Sequence, residues 1–545
     1  MCYASPEMDW KNKLYFGDNL GILKEHVATE SVDLIYLDPP FNSSATYNVL
    51  FKEKSGEESA AQITAFEDTW QWGLESEAVY KEIVTSGPRK LADLMQALLA
   101  FLGRNDMMAY LVMMAVRLVE LHRVLKQTGS IYLHCDPTAS HYLKLVLDSV
   151  FGVFNYRNEI IWQRTNAHNA AGQYGRIHDI LFFYTKTGDY TWKEVTTTFG
   201  AAQLKRYRQD PDGRLYTGQD MTASRPDSNS GKFEWRGTMP PASRGWGYEV
   251  EQLEKWWAEG RILTKKDGTP RMDGLKVYLD EKGGKPLQSV WTDIPRIANT
   301  SPERLGYPTQ KPEALLERVI KASSNEDDVV LDPFCGCGTA VAVAERLRRR
   351  WIGIDVTYLA INLVQRRLRD HHPDDLSPYE IVGAPADVAS AEKLKEISPH
   401  QFEWWAVDLV NARPANDHKK GADSGVDGYI NFFDDKSGKA KQVVVQVKSG
   451  YVGVNYVRDL KGVLARDKAA IGVLIILREP TKPMLTEAAS AGFYEPKDFP
   501  GRYPRLQILT IAELLGGKKI LFPEHRVETF AKAERKTRSE QPDLF

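Results

Sequence analysis

The run Val329-Val330-Leu331-Asp332-Pro333-Phe334-Cys335-Gly336-Cys337-Gly338-Thr339 constrains the fold more than any other part of the chain. A short apolar stretch passes directly into a glycine turn, and the turn into an apolar pattern of helical period. Strand, tight turn and helix in immediate succession are the building unit of a parallel sheet, whose next strand is reached only by a crossover. Gly336 and Gly338 let the backbone approach a ligand and permit a positive φ. The loop therefore suits a nucleotide-like cofactor at the carboxyl end of a strand. The next apolar run, 351–354, ends at Asp355, where a carboxylate is placed to bind ribose hydroxyls. Asp332 and Thr339 flank the turn and join the candidate cofactor site. A plain tight turn is the alternative, and the acidic partner at the following strand end weighs against it.

The rest of the chain extends this pattern. Residues 11–190 alternate between strand-like runs (Val32–Leu37, 130–134, 156–163, 179–184) and a helical pattern over 107–126. Residues 191–305 are rich in Gly, Pro, Arg, Trp and Tyr with weak periodicity, and read as an insert of loops and small elements. Residues 306–370 return to helices at 312–323, 339–349 and 357–370, with strands at 329–331 and 351–354. The polar stretch 371–398 reads as a linker, 399–530 as a separate α/β unit, and 531–545 as a charged, disordered tail. The expected fold class is α/β, a doubly wound sheet with an insert and a C-terminal α/β domain.

Asp38-Pro39-Pro40-Phe41 follows the strand Val32–Leu37. Two prolines stiffen the turn and remove two amide donors, so the Asp38 carboxylate and the Pro39 carbonyl become fixed acceptors. Methylating an exocyclic base amine needs that pair. The amine lone pair is delocalised into the ring, and acceptors on its hydrogens draw the nitrogen toward tetrahedral geometry. Phe41 offers a face on which a flipped base can stack. An ordinary Pro-Pro turn is the alternative.

The loop F-x-G-x-G, with its leading Asp-Pro-Phe, resembles motif I of the amino-methyltransferases that act on DNA. Tyr307-Pro308-Thr309-Gln310-Lys311-Pro312 resembles the family's motif X, and Phe16-Gly17-Asp18-Asn19 the element in which an acidic residue meets the adenine of S-adenosylmethionine (SAM). With the Asp-Pro-Pro-Phe turn ahead of the glycine loop, the order is that of the permuted, beta-class enzymes, close to type III modification subunits. The resemblance implies that Phe334, Gly336 and Gly338 line a SAM pocket, that Asp355 binds its ribose and Asp18 its adenine, and that Thr309 and Lys311 help hold its methionine end. It implies transfer of a methyl group to adenine N6, with cytosine N4 as the alternative. An RNA or protein amine substrate, or a non-catalytic DNA-binding scaffold, also stays open. Cytosine C5 chemistry needs a cysteine nucleophile, and no Pro-Cys dipeptide occurs. The insert is then the target-recognition region. Arg206, Arg208, Arg225, Arg236, Arg244, Trp235 and Trp246 suit bases and phosphates, the alternative being tryptophans in a small core and solvated arginines.

A second constellation lies in 399–530. Gly425-Val426-Asp427-Gly428 leads into a strand over 429–433, and Val443-Val444-Val445-Gln446-Val447-Lys448 follows. On a strand, Gln446 and Lys448 share a face. Asp427 and Gln446 can hold a metal such as Mg²⁺, and Lys448 can steady charge at a phosphate. This resembles the Mrr-type branch of the PD-(D/E)xK nucleases and implies DNA cleavage; a domain that only binds DNA is the alternative. Glu403 is a candidate assistant or a surface charge.

A formal charge of −2 over 545 residues announces no nucleic-acid binder, so any DNA surface is local. Arg346, Arg348, Arg349 and Arg350 form one basic cluster, and Arg366, Arg367 and Arg369 another, on a DNA patch or a solvated face. Four cysteines (Cys2, Cys135, Cys335, Cys337) fit a reducing cytoplasm, and the family resemblance implies a bacterial or phage setting at the nucleoid. Cys335-Gly336-Cys337 lacks a second ligand pair for zinc, and His134-Cys135-Asp136 reads as a strand end. No apolar run reaches membrane-spanning length. The partners implied are double-stranded DNA, a second copy of the chain as a homodimer, and the bacterial sliding clamp. The clamp is implied by the terminal peptide Gln541-Pro542-Asp543-Leu544-Phe545, which resembles the short peptide by which bacterial proteins dock on it.

Overall fold

The computed structural model describes residues 10–40, 72–166, 172–197, 199, 204–224, 231–298, 301–305, 307, 309–415, 425–434, 440–496 and 500–523. Phe41, Arg225 and the peptide 541–545 lie outside them.

The chain opens with β1 (Asn12–Phe16), α1 (Asn19–His26) and β2 (Val32–Leu37). Helices α2 (Leu74–Ser86), α3 (Arg89–Leu102) and α4 (Asp106–Val124) follow. Asn105 caps α4 by accepting from the Met108 amide at 2.9 Å, and the helix is buried along most of its length. Then come β3 (Leu125–Cys135), α5 (Ser140–Phe151), β4 (Tyr156–Gln163) and β5 (His178–Thr185).

The insert is a compact unit of its own, residues 194–288. It holds β6 (Arg208–Gln209), β7 (Leu215–Gln219), α6 (Val250–Ala258), β8 (Ile262–Thr264) and β9 (Pro270–Tyr278). Its four-stranded sheet runs β8-β9-β7-β6. Trp235 and Trp246 are 4% and 1% exposed and pack with Met221, Leu253, Ile262 and Leu275. They are its core, which corrects the expectation that they offer stacking faces to bases: a unit this small has few other large side chains to bury. Arg236 pairs with Glu254 at 2.6 Å and Arg244 with Asp220 at 2.7 Å. Arg206 and Arg208 are exposed.

The expected insert boundary at 305 is too late. Residues 290 and 291 form β10, which pairs in parallel with β4 in the main sheet. A two-residue strand has too little periodicity to be read from sequence. There follow α7 (Glu313–Ser323), β11 (Val329–Asp332), α8 (Thr339–Arg346), β12 (Arg350–Asp355) and α9 (Tyr358–His371). The stretch 371–398 is not a linker. It carries β13 (Tyr379–Val382), paired in parallel with β1, and α10 (Val388–Ile397). Its polar residues and prolines hide a four-residue edge strand.

The main sheet has nine strands in the order β10-β4-β5-β3-β2-β11-β12-β1-β13. Every pairing is parallel except those of β5 with β3 and β4. Its core brings Ile35, Leu37, Leu331 and Ile354 together with the apolar faces of α3 and α4. The C-terminal sheet comprises β14 (Arg413–Pro414), β15 (Gly428–Phe432), β16 (Lys441–Lys448), β17 (Ile471–Ile476) and β18 (Leu506–Thr510). It is flanked by α11 (Pro399–Leu409), α12 (Val454–Arg466) and α13 (Lys482–Ala489). It belongs to the same compact unit as the main sheet, because α11 packs on α9. The Tyr358 amide donates to Gln401 Oε1 at 2.8 Å, and Arg366 reaches Asp408 and the Ala412 carbonyl. Among the described residues no helix is long and apolar enough to cross a membrane.

Candidate active site

Strands β2, β11, β12 and β1 are parallel neighbours, so their carboxyl ends open on one rim. Asp38 follows β2, the glycine turn follows β11, Asp355 ends β12, and Gly17 and Asp18 follow β1. Asp18, Asp38, Pro39, Pro40, Thr309, Lys311, Asp332, Phe334, Gly336, Thr339 and Asp355 all line one cavity. Gly338, the N-cap of α8, is not itself among the lining residues.

The turn is built as its glycines require. Gly336 and Gly338 have φ of +49° and +72°, in the left-handed region that side chains disfavour. A Cβ on Gly336 would stand 3.1 Å from the Tyr307 ring, and one on Gly338 2.7 Å from Val364. Asp355 pins the turn to the next strand. Its Oδ2 accepts from the Gly336 amide at 2.9 Å, and its Oδ1 from the amide and hydroxyl of Thr357, each at 2.8 Å. Burial pushes the Asp355 carboxyl up, while these donors pull it down. Burial also pushes Asp332 well above the usual carboxylate range, and Asp38 and Asp355 nearby add to it. The Tyr307 phenol is raised by burial and by Asp355.

Around the turn stands an ionic frame that the motifs do not reveal. Arg367, 2% exposed, donates to Glu313 at 2.7 Å, to Thr339 Oγ1 at 3.0 Å and to the Cys337 carbonyl at 3.3 Å. Burial opposes the Glu313 charge, yet Arg367, with Arg346 and His371, holds its carboxyl below the usual range. Arg346 pairs with Glu313 and Glu317, Arg349 donates to Ser324, and Arg366 pairs with Asp408. Four members of the two basic clusters are therefore committed inside the protein, which corrects both their DNA-patch and their solvated-face readings. Short sequence spacing shows where charges cluster and says nothing of partners brought by other elements.

After β1, Asp18 caps α1 by accepting from the Gly21 amide at 3.3 Å, and Arg117 of α4 donates to it at 2.5 Å. Arg117 also donates to Asn19 at 2.6 Å, and Asn19 donates to the Pro333 carbonyl at 2.7 Å. Arg117 was missed from sequence; its one signal is a charge within the apolar run 107–119.

At the Asp-Pro-Pro turn, Lys311 donates to Asp38 Oδ2 in a close ion pair. Lys311, expected at the methionine end of a cofactor, thus touches the carboxylate expected to meet the base. Asp38 Oδ1 is buried with no hydrogen-bond partner among the described residues. Behind Asp38, Tyr36 Oη lies 2.8 Å from His134 Nδ1, and His134 Nε2 lies 3.3 Å from Asp179. His134 does lie at the end of β3, as expected, but it is fully buried in this chain of contacts.

In the C-terminal sheet, Asp427 stands beside Gln446. Its amide donates to the Val445 carbonyl at 2.8 Å, and its Oδ2 accepts from the Val447 amide at 2.6 Å. Gln446 is 3% exposed with Oε1 unpartnered among the described residues, and Lys448 lies two positions on along β16. Glu403 is an ion-pair partner of His400 at 3.4 Å. The set is a thin one for Mg²⁺: it offers a single carboxylate and an enclosed amide, and no group of three His, Cys, Asp or Glu side chains suited to a metal occurs among the described residues.

The comparisons agree with this layout. Residues 32–366 match the family model described as DNA methylase, and 398–515 match one described as NACHT-associated inactive restriction endonuclease 1. The chain is 31% identical over 261 residues to the type II methyltransferase M.EcaI of Enterobacter cloacae, covering 48% of this chain and 57% of that protein. It is 26% identical over 346 residues to the Mod subunit of the type III restriction-modification enzyme StyLTI of Salmonella typhimurium, covering 60% and 49%. The chain thus spans about half the length of these two relatives. With the DNA adenine methyltransferase YhdJ of Escherichia coli it shares 50% identity over 386 residues, covering 70% and 92%.

Proposed function

The chain belongs to the N6/N4 DNA methylase family, and from that membership we propose that it transfers a methyl group from SAM to an exocyclic amine of double-stranded DNA, adenine N6 in the first place. The observation that carries this reading is Asp38 Oδ1, a buried acceptor without a partner among the described residues, on the wall of the cavity that the glycine turn and Asp355 also line.

The residues present fit SAM. The turn is a cradle that a Cβ would fill, and Asp355 is pinned at the strand end with lone-pair capacity left on Oδ2. When bound, SAM supplies an electrophilic methyl on sulfonium. Everything else is the work of this chain. Asp355 and Asp18 would hold the ribose and adenine. Thr309 and Lys311 would hold the methionine end. Lys311 keeps Asp38 oriented through Oδ2 while Oδ1 and the Pro39 carbonyl take the two amine hydrogens. Such preorganised acceptors cost no rearrangement when charge develops. The relative named as an adenine methyltransferase supports adenine; cytosine N4 is the alternative product.

The test is transfer of tritiated methyl from SAM to plasmid DNA from a methylation-deficient host, with nucleoside analysis of the product. Asp38→Ala should retain SAM binding by calorimetry and lose at least about a hundredfold in transfer. Equal transfer by that variant sinks the reading.

For the C-terminal domain we infer DNA binding without cleavage, which the poor fit to a divalent cation and the inactive family description support. The second reading, an active Mrr-type nuclease, is favoured by the bonding of Asp427 to the residues on either side of Gln446. Incubation of supercoiled plasmid with the protein and Mg²⁺ decides: cleavage that Asp427→Ala abolishes would establish the nuclease. A bacterial cytoplasmic setting at the nucleoid, homodimer formation and clamp docking through 541–545 complete the proposal.

A further inference from the structure

The chain Tyr36–His134–Asp179 is closed off from solvent. Tyr36, His134 and Asp179 are 2%, 0% and 1% exposed. Tyr36 stands two residues before Asp38 on β2 and borders the same cavity. His134 comes from β3 and Asp179 from β5, so three adjacent strands converge on this point. The imidazole is wedged edge-on against Trp162, with ring centroids 5.6 Å apart, and against Tyr36 at 6.3 Å. Arg164 Nε lies 3.3 Å from the other oxygen of Asp179 as an ion pair without hydrogen-bond alignment. Burial opposes the charge on Asp179, but His134, with Lys311 and Arg164, holds its carboxyl below the usual range.

These contacts assign the protons. An ionised Asp179 only accepts, so His134 Nε2 carries hydrogen toward it. In the neutral ring Nδ1 is then the bare nitrogen, to which the Tyr36 hydroxyl donates. The hydroxyl proton is turned toward His134, while Tyr36 borders the cavity that Asp38 also lines.

We propose that Tyr36, His134 and Asp179 receive the proton that the methylated amine must shed. The inference rests on the methyltransferase reading and deepens it. When the nitrogen lone pair forms its bond to the methyl carbon, the carbon–sulfur bond breaks and its electron pair stays on sulfur. The nitrogen is left with one positive charge and one proton too many. The proton that the Pro39 carbonyl had held passes to Tyr36 Oη as the Tyr36 proton passes to His134 Nδ1, and Asp179 stabilises the resulting imidazolium. Asp38, engaged by Lys311, stays free to hold the amine throughout. His134 and Asp179 are positioning residues that act through Tyr36.

The experiment compares single-turnover methyl transfer, with tritiated SAM and methylation-deficient plasmid, in Tyr36→Phe, His134→Gln and Asp179→Asn. Each should transfer about ten- to a hundredfold more slowly, with the dissociation constants for SAM and plasmid within about twofold of wild type. The double variant Tyr36→Phe/His134→Gln should be no slower than the slower single, because the groups act as one unit. In ¹⁵N NMR, His134 should show the Nε2-protonated tautomer in the free protein and lose that preference in Asp179→Asn. Tyr36→Phe keeps the ring packing, so it decides even where the buried polar variants fold poorly. An unchanged rate in Tyr36→Phe, a multiplicative double variant or an Nδ1-protonated His134 overturns the relay. Absence of transfer by the wild type would instead refute the proposed function, and the tautomer measurement still tests the chain.

Discussion

Gly338→Ala isolates the backbone demand of the glycine turn. Gly338 has φ of +72°, and an added Cβ would lie 2.7, 3.1 and 3.2 Å from three carbon atoms of Val364. Val364 is fully buried on α9 and has nowhere to swing. Holding alanine in the left-handed region costs roughly 1–2 kcal/mol, and overpacking a well-filled site roughly 1–3 kcal/mol. The expected loss is therefore about 2–5 kcal/mol, read from urea unfolding followed by tryptophan fluorescence. Val364→Ala alone deletes two buried methyl groups and should cost roughly 2 kcal/mol. Combined, the two changes fit together, and the cycle should show favourable coupling of about 1–3 kcal/mol. Gly188→Ala is the control, since a Cβ there meets nothing within 4 Å; it should stay within about 0.5 kcal/mol of wild type. A Gly338→Ala protein as stable as that control, or an additive cycle, would refute the reasoning.

Glu313→Gln leaves the buried Arg367 without its charge partner and should cost roughly 3–5 kcal/mol at neutral pH. Because the native Glu313 carboxyl is held below its ordinary value of 4.5, its contribution is present above that pH and is lost as pH falls through the native value. The stability gap between wild type and variant, followed by thermal melts, should thus narrow as the buffer is taken below pH 4.5. Arg117→Met releases Asp18 and Asn19 together, and calorimetry should show SAM binding weakened about tenfold; unchanged affinity would remove Arg117 from the cofactor site. Deleting 541–545 should abolish pull-down of the purified sliding clamp, and retention of binding would end that proposal.

The meeting of Asp38 with the glycine turn was readable before any coordinates, because each sits at the end of its own apolar run and parallel strands present their carboxyl ends on one rim. What escaped the sequence has one physical character. Arg367 and Glu313 stand 54 residues apart, and His134 and Asp179 45 apart. Periodicity reports which face of an element is buried, but not which buried polar groups will find each other. The arginine clusters misled for that reason: a row of cations looks the same on paper whether water or carboxylates await it. Trp235 and Trp246 misled in the opposite way, since an aromatic ring suits a nucleobase and a miniature core equally well. Strands of two and four residues at 290–291 and 379–382 are too short to display alternation at all.

The last strand of the main sheet has a practical corollary for anyone wishing to study the methylase alone. β13 is supplied by residues beyond the last recognisable motif, and it covers the outer flank of β1, with register from Asn12↔Tyr379 to Tyr15↔Val382. Gly383 then lies so near the Phe16 carbonyl that a Cβ would come within 2.3 Å of it. A fragment stopped at the end of α9 would bare a row of amides and carbonyls ready to recruit a neighbouring molecule. Cutting after Gly383 keeps that flank sheathed, and the difference should be visible as a soluble product in place of inclusion bodies.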